Sequence, residues 1–120
     1  MPTIREITAV SVKRSLRWHA DNPWSAERYL LAALGELGEA VNAMKKLWRL
    51  RENITSVTEP GREITSEDQA REFIGAEMAD MFLYLVLVAA RLGIDLEDQV
   101  VRKFNKTSAN YGFPERLEQG

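Results

Sequence analysis

Two pairs of acidic residues, each three positions apart, stand out for where they lie. Glu36 and Glu39 fall inside the run LGELGEA (34–40), and Glu77 and Asp80 open the apolar run EMADMFLYLVLVAA (77–90). At 100° per residue, positions i and i+3 sit about 60° apart, on one helix face. Burying such carboxylates unpaired costs several kcal/mol each, or drives their pKa up until they are neutral. A cation removes the conflict. With no cysteine and one histidine, an all-oxygen set suits Mg²⁺, with Mn²⁺ as an alternative, and not zinc. A single acidic pair would carry little weight; two, both on apolar faces of long helices, are hard to reach by accident. A di-iron carboxylate bundle would require Glu-x-x-His motifs, and the one histidine, His19, is remote in sequence from both pairs. His19 reads as a surface or capping residue.

Four helices and no strand are expected to position these groups. The first covers about 3–20, with Ile7, Val10 and Leu16 on a loose stripe. Asn22-Pro23 breaks it, and Ser25 is a good N-cap with Glu27 in the following turn. The second helix runs to about Arg51 along Leu30, Leu34, Leu37, Val41, Met44 and Trp48, spaced 4, 3, 4, 3 and 4. Ser66 with Gln69 forms a capping box that starts the third helix, which stops at Gly93. Asp95 caps the fourth, about 96–110, with a stripe of Leu96, Val100 and Lys103/Phe104, ended by YGFP. Around Pro60-Gly61, residues 52–65 read as an inserted loop or small hairpin within a single domain spanning 1–120.

The faces decide where the carboxylates point. Glu36 and Glu39 share theirs with Tyr29, Ala32, Ala33, Ala40, Ala43 and Leu47, while Glu27, Arg28, Asn42, Lys45, Lys46 and Arg49 form the solvated side. The acids therefore look onto an alanine-lined surface that another helix can approach. Gly35 and Gly38 cost roughly 0.5–1 kcal/mol each in a helix interior, which points to close backbone approach there. On the third helix Glu77 and Asp80 share a face with Phe73, Tyr84, Leu87 and Arg91. From Met81 to Ala90 the hydroxyl of Tyr84 is the only polar side-chain atom. A helix apolar all round must be covered all round. The expected fold is an all-α bundle of about four helices, completed by oligomerisation.

Composition excludes several partners. A net charge of −2 offers no basic field for a nucleic acid polymer. The absence of cysteine excludes disulfides and thiol chemistry. The N-terminal residues lack an apolar signal-peptide core, and the longest apolar run has ten residues where a membrane span needs about 20. A soluble cytoplasmic protein without a membrane partner is the expectation.

With these residues in hand, RYLLAALGELGEAV, EMADMFLYLVLVAARLGIDLEDQV and KFNK…YGFP together resemble the MazG-like all-α nucleoside triphosphate pyrophosphohydrolase superfamily, from about Tyr29 through Glu115. The resemblance implies hydrolysis of an NTP or dNTP to the monophosphate and pyrophosphate, in removal of unwanted or surplus nucleotides. It implies Mg²⁺ held by Glu36, Glu39, Glu77 and Asp80 as the catalytic set, and a homodimer or homotetramer. Lys103 is implied as a neutraliser of phosphate charge, although a snorkelling surface lysine fits its position nearly as well. Where the family carries an asparagine and a basic residue downstream, the nearest equivalents are Thr107 and Asn110, with Asn105 and Lys106 close by. The interval from Glu39 to Glu77 is longer than usual for the family, through the 52–70 segment. Trp18, Trp24 and Trp48 could stack on a base. Trp48 continues the helical stripe and is expected in the core, which leaves Trp24, in the connecting loop, as the freer platform. A non-catalytic helical binding module on the same scaffold is the alternative, and the intact acidic quartet argues against it. A hydrolase acting on another pyrophosphate-linked substrate stays open.

Overall fold

The computed structural model describes residues 1–52 and 64–118, and four helices account for most of them: α1 (Ile4–Trp18), α2 (Ala26–Arg51), α3 (Glu67–Arg91) and α4 (Leu96–Tyr111). No strand occurs among the described residues, so the all-α reading stands. The loop or hairpin expected around Pro60-Gly61 lies, for residues 53–63, outside them.

Helix ends follow the local chemistry. Thr3 and Glu6 close a reciprocal capping box on α1. Ser66 accepts the Gln69 amide at 3.1 Å, but the Gln69 side chain reaches back to the amide of Thr65 (2.9 Å), one residue earlier than the motif expects. Gly93 takes the left-handed conformation (φ 68°) that closes α3, with the Ile94 amide donating to Ala89 O at 2.8 Å. Two residues later Asp95 accepts the Asp98 amide at 3.1 Å and opens α4.

The chain forms two compact units, Met1–Glu27 with Val86 onward, and Arg28–Leu85, so α3 runs through both. In the first unit, α1 and α4 meet at their N-termini. The Ile4 amide donates to Glu97 Oε1 (3.1 Å), and Arg5 pairs with Asp95 (3.1 Å) and Glu97 (2.5 Å). The Asp98 amide and the Arg5 guanidinium hold the Asp95 carboxyl below its usual range. Asn105 brackets the C-terminal segment: its amide donates to Leu117 O (2.9 Å) and its carbonyl accepts the Leu117 amide (2.7 Å). The stripe expected on α4 is corrected here. Val100 and Phe104 are exposed, and the inward face is Val101 and Ser108, with Glu97 and Asn105 half-buried on the same side. Hydrogen bonds through Glu97 and Asn105 orient this helix, and its most apolar stripe is left outside.

In the second unit α2 and α3 run antiparallel. Arg51 at the end of α2 meets Glu67 at the start of α3 (3.1 Å), Ala43 and Leu47 cluster with Ala70 and Ile74, and the rings of Tyr29 and Tyr84 lie 6.3 Å apart at the far end. Tyr29, Ala33, Ala40, Ala43 and Leu47 are buried, so the alanine-lined face does meet another helix.

Three expectations are corrected. The Leu30–Trp48 stripe is not core: all six side chains are exposed, from 44% at Leu37 to 63% at Leu34. Trp48, expected inside, projects outward, and its indole N–H donates to Glu52 at 2.8 Å. The cause is geometric. α2 carries two adjacent apolar faces, and α3 covers only the smaller-residue one, where backbones can come closer. A Cβ built at Gly35 or Gly38 meets nothing within 4 Å, so the close approach expected there is not made among the described residues of one chain. Along Met81–Ala90, Val86 and Ala89 are buried and the remaining residues half-buried.

By length and composition α3 could also cross a membrane. It carries Glu77 and Asp80 mid-helix and packs Ala70 and Ile74 against α2, and most of its apolar stretch is only part-buried.

Candidate active site

The antiparallel pairing of α2 and α3 sets the acids opposite one another. With Ala43–Leu47 against Ala70–Ile74 on one side and Tyr29 against Tyr84 on the other, the turns between them must bring Glu36 and Glu39 to Glu77. One carboxylate oxygen from each of these three residues lies within 4.8 Å of the other two. The alanines around them leave room for carboxylates that larger side chains would fill.

The electrostatics of this cluster are unfavourable as it stands. Glu77 is 9% exposed, and its Oε2 has no hydrogen-bond partner. Its pKa is pushed up to about 8, first because a proton is best shared with Glu36, then by burial and by the neighbouring Glu39. A buried carboxyl that must keep a proton, with one oxygen orphaned and two more carboxylates beside it, is the donor set a hard cation would complete. The residues present fit Mg²⁺ or Mn²⁺. Glu36 is half-buried and Glu39 exposed, so the cluster opens toward solvent on the α2 side.

Asp80 lies one turn beyond Glu77 on α3. It is exposed, and it does not fall in the group of three converging carboxylates. Its charge is felt at Tyr84: burial raises the Tyr84 pKa, and the charges of Glu36 and Asp80 raise it further. Tyr84 therefore stays a neutral hydroxyl beside the acids. Sequence reading noticed that hydroxyl without assigning it to the site. The signal was available in the spacing, since Tyr84 follows Asp80 by four residues and Glu77 by seven, while Tyr29 precedes Glu36 by seven.

The other expected residues belong to the first unit. Lys103 and Asn110 are exposed on α4, and Trp24 is half-buried after α1. Trp24 stacks on His19 (centroids 4.5 Å, 24° between planes), and His19 in turn stacks on Trp18 (5.6 Å, 3°). His19 also ends α1, donating its amide to Ser15 O at 2.9 Å, which agrees with a capping role.

No protein-family model matches the chain. It is similar to proteins named dCTP pyrophosphatase 1: 28% identical over 119 residues to the Mus musculus protein, 27% to that of Rattus norvegicus and 28% to that of Bos taurus. Each alignment takes in 99% of this chain and 64% of the relative, so the chain spans just under two-thirds of the curated proteins it matches. The activity in that name, on the pyrophosphate linkage of a deoxynucleoside triphosphate, is of the class that the motif resemblance implies.

Proposed function

We propose that this chain is a divalent-metal-dependent nucleotide pyrophosphohydrolase that cleaves an NTP or dNTP to the monophosphate and pyrophosphate, acting in the cytoplasm to remove unwanted nucleotides. The observation that carries this reading is the convergence of Glu36, Glu39 and Glu77, together with the buried Glu77 Oε2 that has no hydrogen-bond partner. The named relatives favour a pyrimidine deoxynucleotide such as dCTP as the first substrate to test.

Glu36, Glu39 and Glu77 would hold the cation from the cluster, and Asp80 would complete the set from the next turn of α3. When bound, Mg²⁺ supplies positive charge between these carboxylates and the triphosphate and acidifies water at the site. To hold the cation Glu77 would be deprotonated. Tyr84, kept neutral by its surroundings, remains a hydroxyl donor beside Glu36 and Asp80. On the family resemblance, Lys103 and Asn110 would contribute phosphate contacts and Trp24 a face for the base. Without metal the site would repel a triphosphate outright.

Hydrolysis in ¹⁸O-labelled water, with a panel of NTPs and dNTPs, tests the bond cleaved. Label should appear in the nucleoside monophosphate, with unlabelled pyrophosphate leaving. Label in orthophosphate, with a nucleoside diphosphate as co-product, would overturn the assignment even if metal binding were intact.

A further inference from the structure

Hydrogen-bond donors are scarce around the acid cluster. In the Arg28–Leu85 unit, the described side chains that are not exposed and can donate are Tyr29, Lys46 and Tyr84. Lys46 belongs to the Ala43–Leu47 end of the helix pair, so the donors at the other end are the two tyrosines. A polyphosphate held over three carboxylates needs positive charge on one side and donors for its remaining oxygens. A cation supplies the first. At this end of α2 and α3, a tyrosine is the inward-facing group that can supply the second.

We propose that the Tyr84 hydroxyl is a catalytic residue, donating a hydrogen bond to a non-bridging oxygen of the phosphoryl group under attack, with Tyr29 as the positioning residue behind it. This rests on the pyrophosphohydrolase reading and adds to it a donor from the chain itself. The first support is direction. Long side chains on a helix lean toward its N-terminus, over the preceding turn. Because α2 and α3 are antiparallel, the rule acts oppositely on the two tyrosines. Tyr84 follows Asp80 by four residues and Glu77 by seven, and leans toward them; Tyr29 precedes Glu36 by seven and leans away. In agreement, the charges of Glu36 on the facing helix and of Asp80 on its own are both felt at Tyr84.

The second support is rigidity. Tyr29 is 3% exposed, and its ring lies 6.3 Å from that of Tyr84. A half-buried ring packed on a fixed one keeps its hydroxyl within a narrow arc, as a preorganised donor must. The third is chemistry. From Met81 to Ala90 every other side chain is apolar, so this oxygen stands alone where phenylalanine would pack as well. Burial and the two negative charges hold its pKa above the usual tyrosine value, so at neutral pH it keeps the proton it has to donate. Glu36 and Asp80 are the rival acceptors. Carboxylates turned toward a cation accept less readily, and the strongest acceptors then present are the phosphate oxygens.

Tyr84→Phe removes one oxygen and keeps the ring. By calorimetry the variant should bind Mg²⁺ as the unmodified chain does. With Mg²⁺ present it should bind a non-hydrolysable α,β-methylene deoxynucleoside triphosphate about tenfold more weakly, and its kcat/KM for pyrophosphate release should fall about 100-fold. Tyr29→Ala should lower kcat with Mg²⁺ binding intact, and Tyr29→Phe, which restores the ring, should recover most of the loss. Unchanged analogue affinity in Tyr84→Phe would overturn the proposal. So would a tenfold loss of its Mg²⁺ affinity, since the hydroxyl would then be orienting a metal ligand. Tyr29→Phe no better than Tyr29→Ala would overturn the part given to Tyr29. The underlying reading fails separately: an unmodified chain that binds the analogue but releases no pyrophosphate overturns it, and the affinity comparison still decides for or against Tyr84. A chain that does not bind the analogue overturns both.

Discussion

Replacing Glu77 by Gln should stabilise the metal-free protein, and increasingly so as pH rises. Gln keeps the shape of the side chain and removes the charge. In the fold the Glu77 carboxyl holds its proton up to about 8, against 4.5 for an unperturbed glutamate. At about 1.4 kcal/mol per pH unit the gap is worth at most about 5 kcal/mol. Glu39 opens the cluster to solvent, and screening there reduces the expected effect to about 2 kcal/mol. The folded pKa lies above the unfolded one, so the stabilisation from this group is complete below pH 4.5. It is lost progressively as pH rises toward 8, because the unfolded chain gives up the proton first. Wild type and Glu77→Gln should therefore unfold at similar temperatures near pH 5 in EDTA. They should separate between pH 5 and 8, with the variant higher by roughly 6–10 °C at pH 9 for a domain of this size. Adding Mg²⁺ should invert the order, since ligand binding stabilises only the protein that can hold it. A difference in Tm that does not change with pH, or a variant less stable at pH 9 in EDTA, would refute this account of the cluster.

Single Glu36→Ala and Asp80→Ala variants should keep native helicity and lose about 99% of turnover or more, measured as pyrophosphate release; near-normal rates in both would place the site elsewhere. Lys103→Ala should raise the KM for a triphosphate about tenfold while leaving the Mg²⁺ titration of the free protein unchanged, as checked by calorimetry. Asn105→Ala removes both hydrogen bonds to Leu117. It should cost about 1–2 kcal/mol in denaturant unfolding and make residues 113–118 markedly easier to cleave in limited proteolysis.

Much of the helix plan was legible because it is written in local chemistry. Gly93, Asp95 and Ser66 announce helix ends through hydrogen bonds made within a few residues, and the structure makes them. The facing of Glu36 toward α3 was legible too, since alanines around a glutamate indicate a neighbour close by. What sequence periodicity alone could not show was which of two apolar faces on α2 the chain itself covers. The 4-3 stripe of large residues is the stronger signal, yet Ala33, Ala40 and Ala43 lie inside and Trp48 outside. On α4 the regular stripe misled for a different reason. Glu97 and Asn105 bond to the N-terminal turn of α1 and to Leu117, contacts 93 and 12 residues away in sequence, which no window of periodicity contains. The part of Tyr84 beside the acids was hidden in the same way. It depends on which helix lies opposite.

The passage of α3 through both compact units has a consequence for how the chain folds and how it can be divided. Leu85 and Val86 belong to different units but to one unbroken helix, so the i→i−4 hydrogen bonds of one turn span the junction. A fragment ending at the junction would strip a full turn of its acceptors and expose backbone in both pieces. Amide exchange in the middle of α3 should accordingly be governed by whichever end of the helix opens last. Cutting the chain between its two units would thus cut its secondary structure in mid-helix.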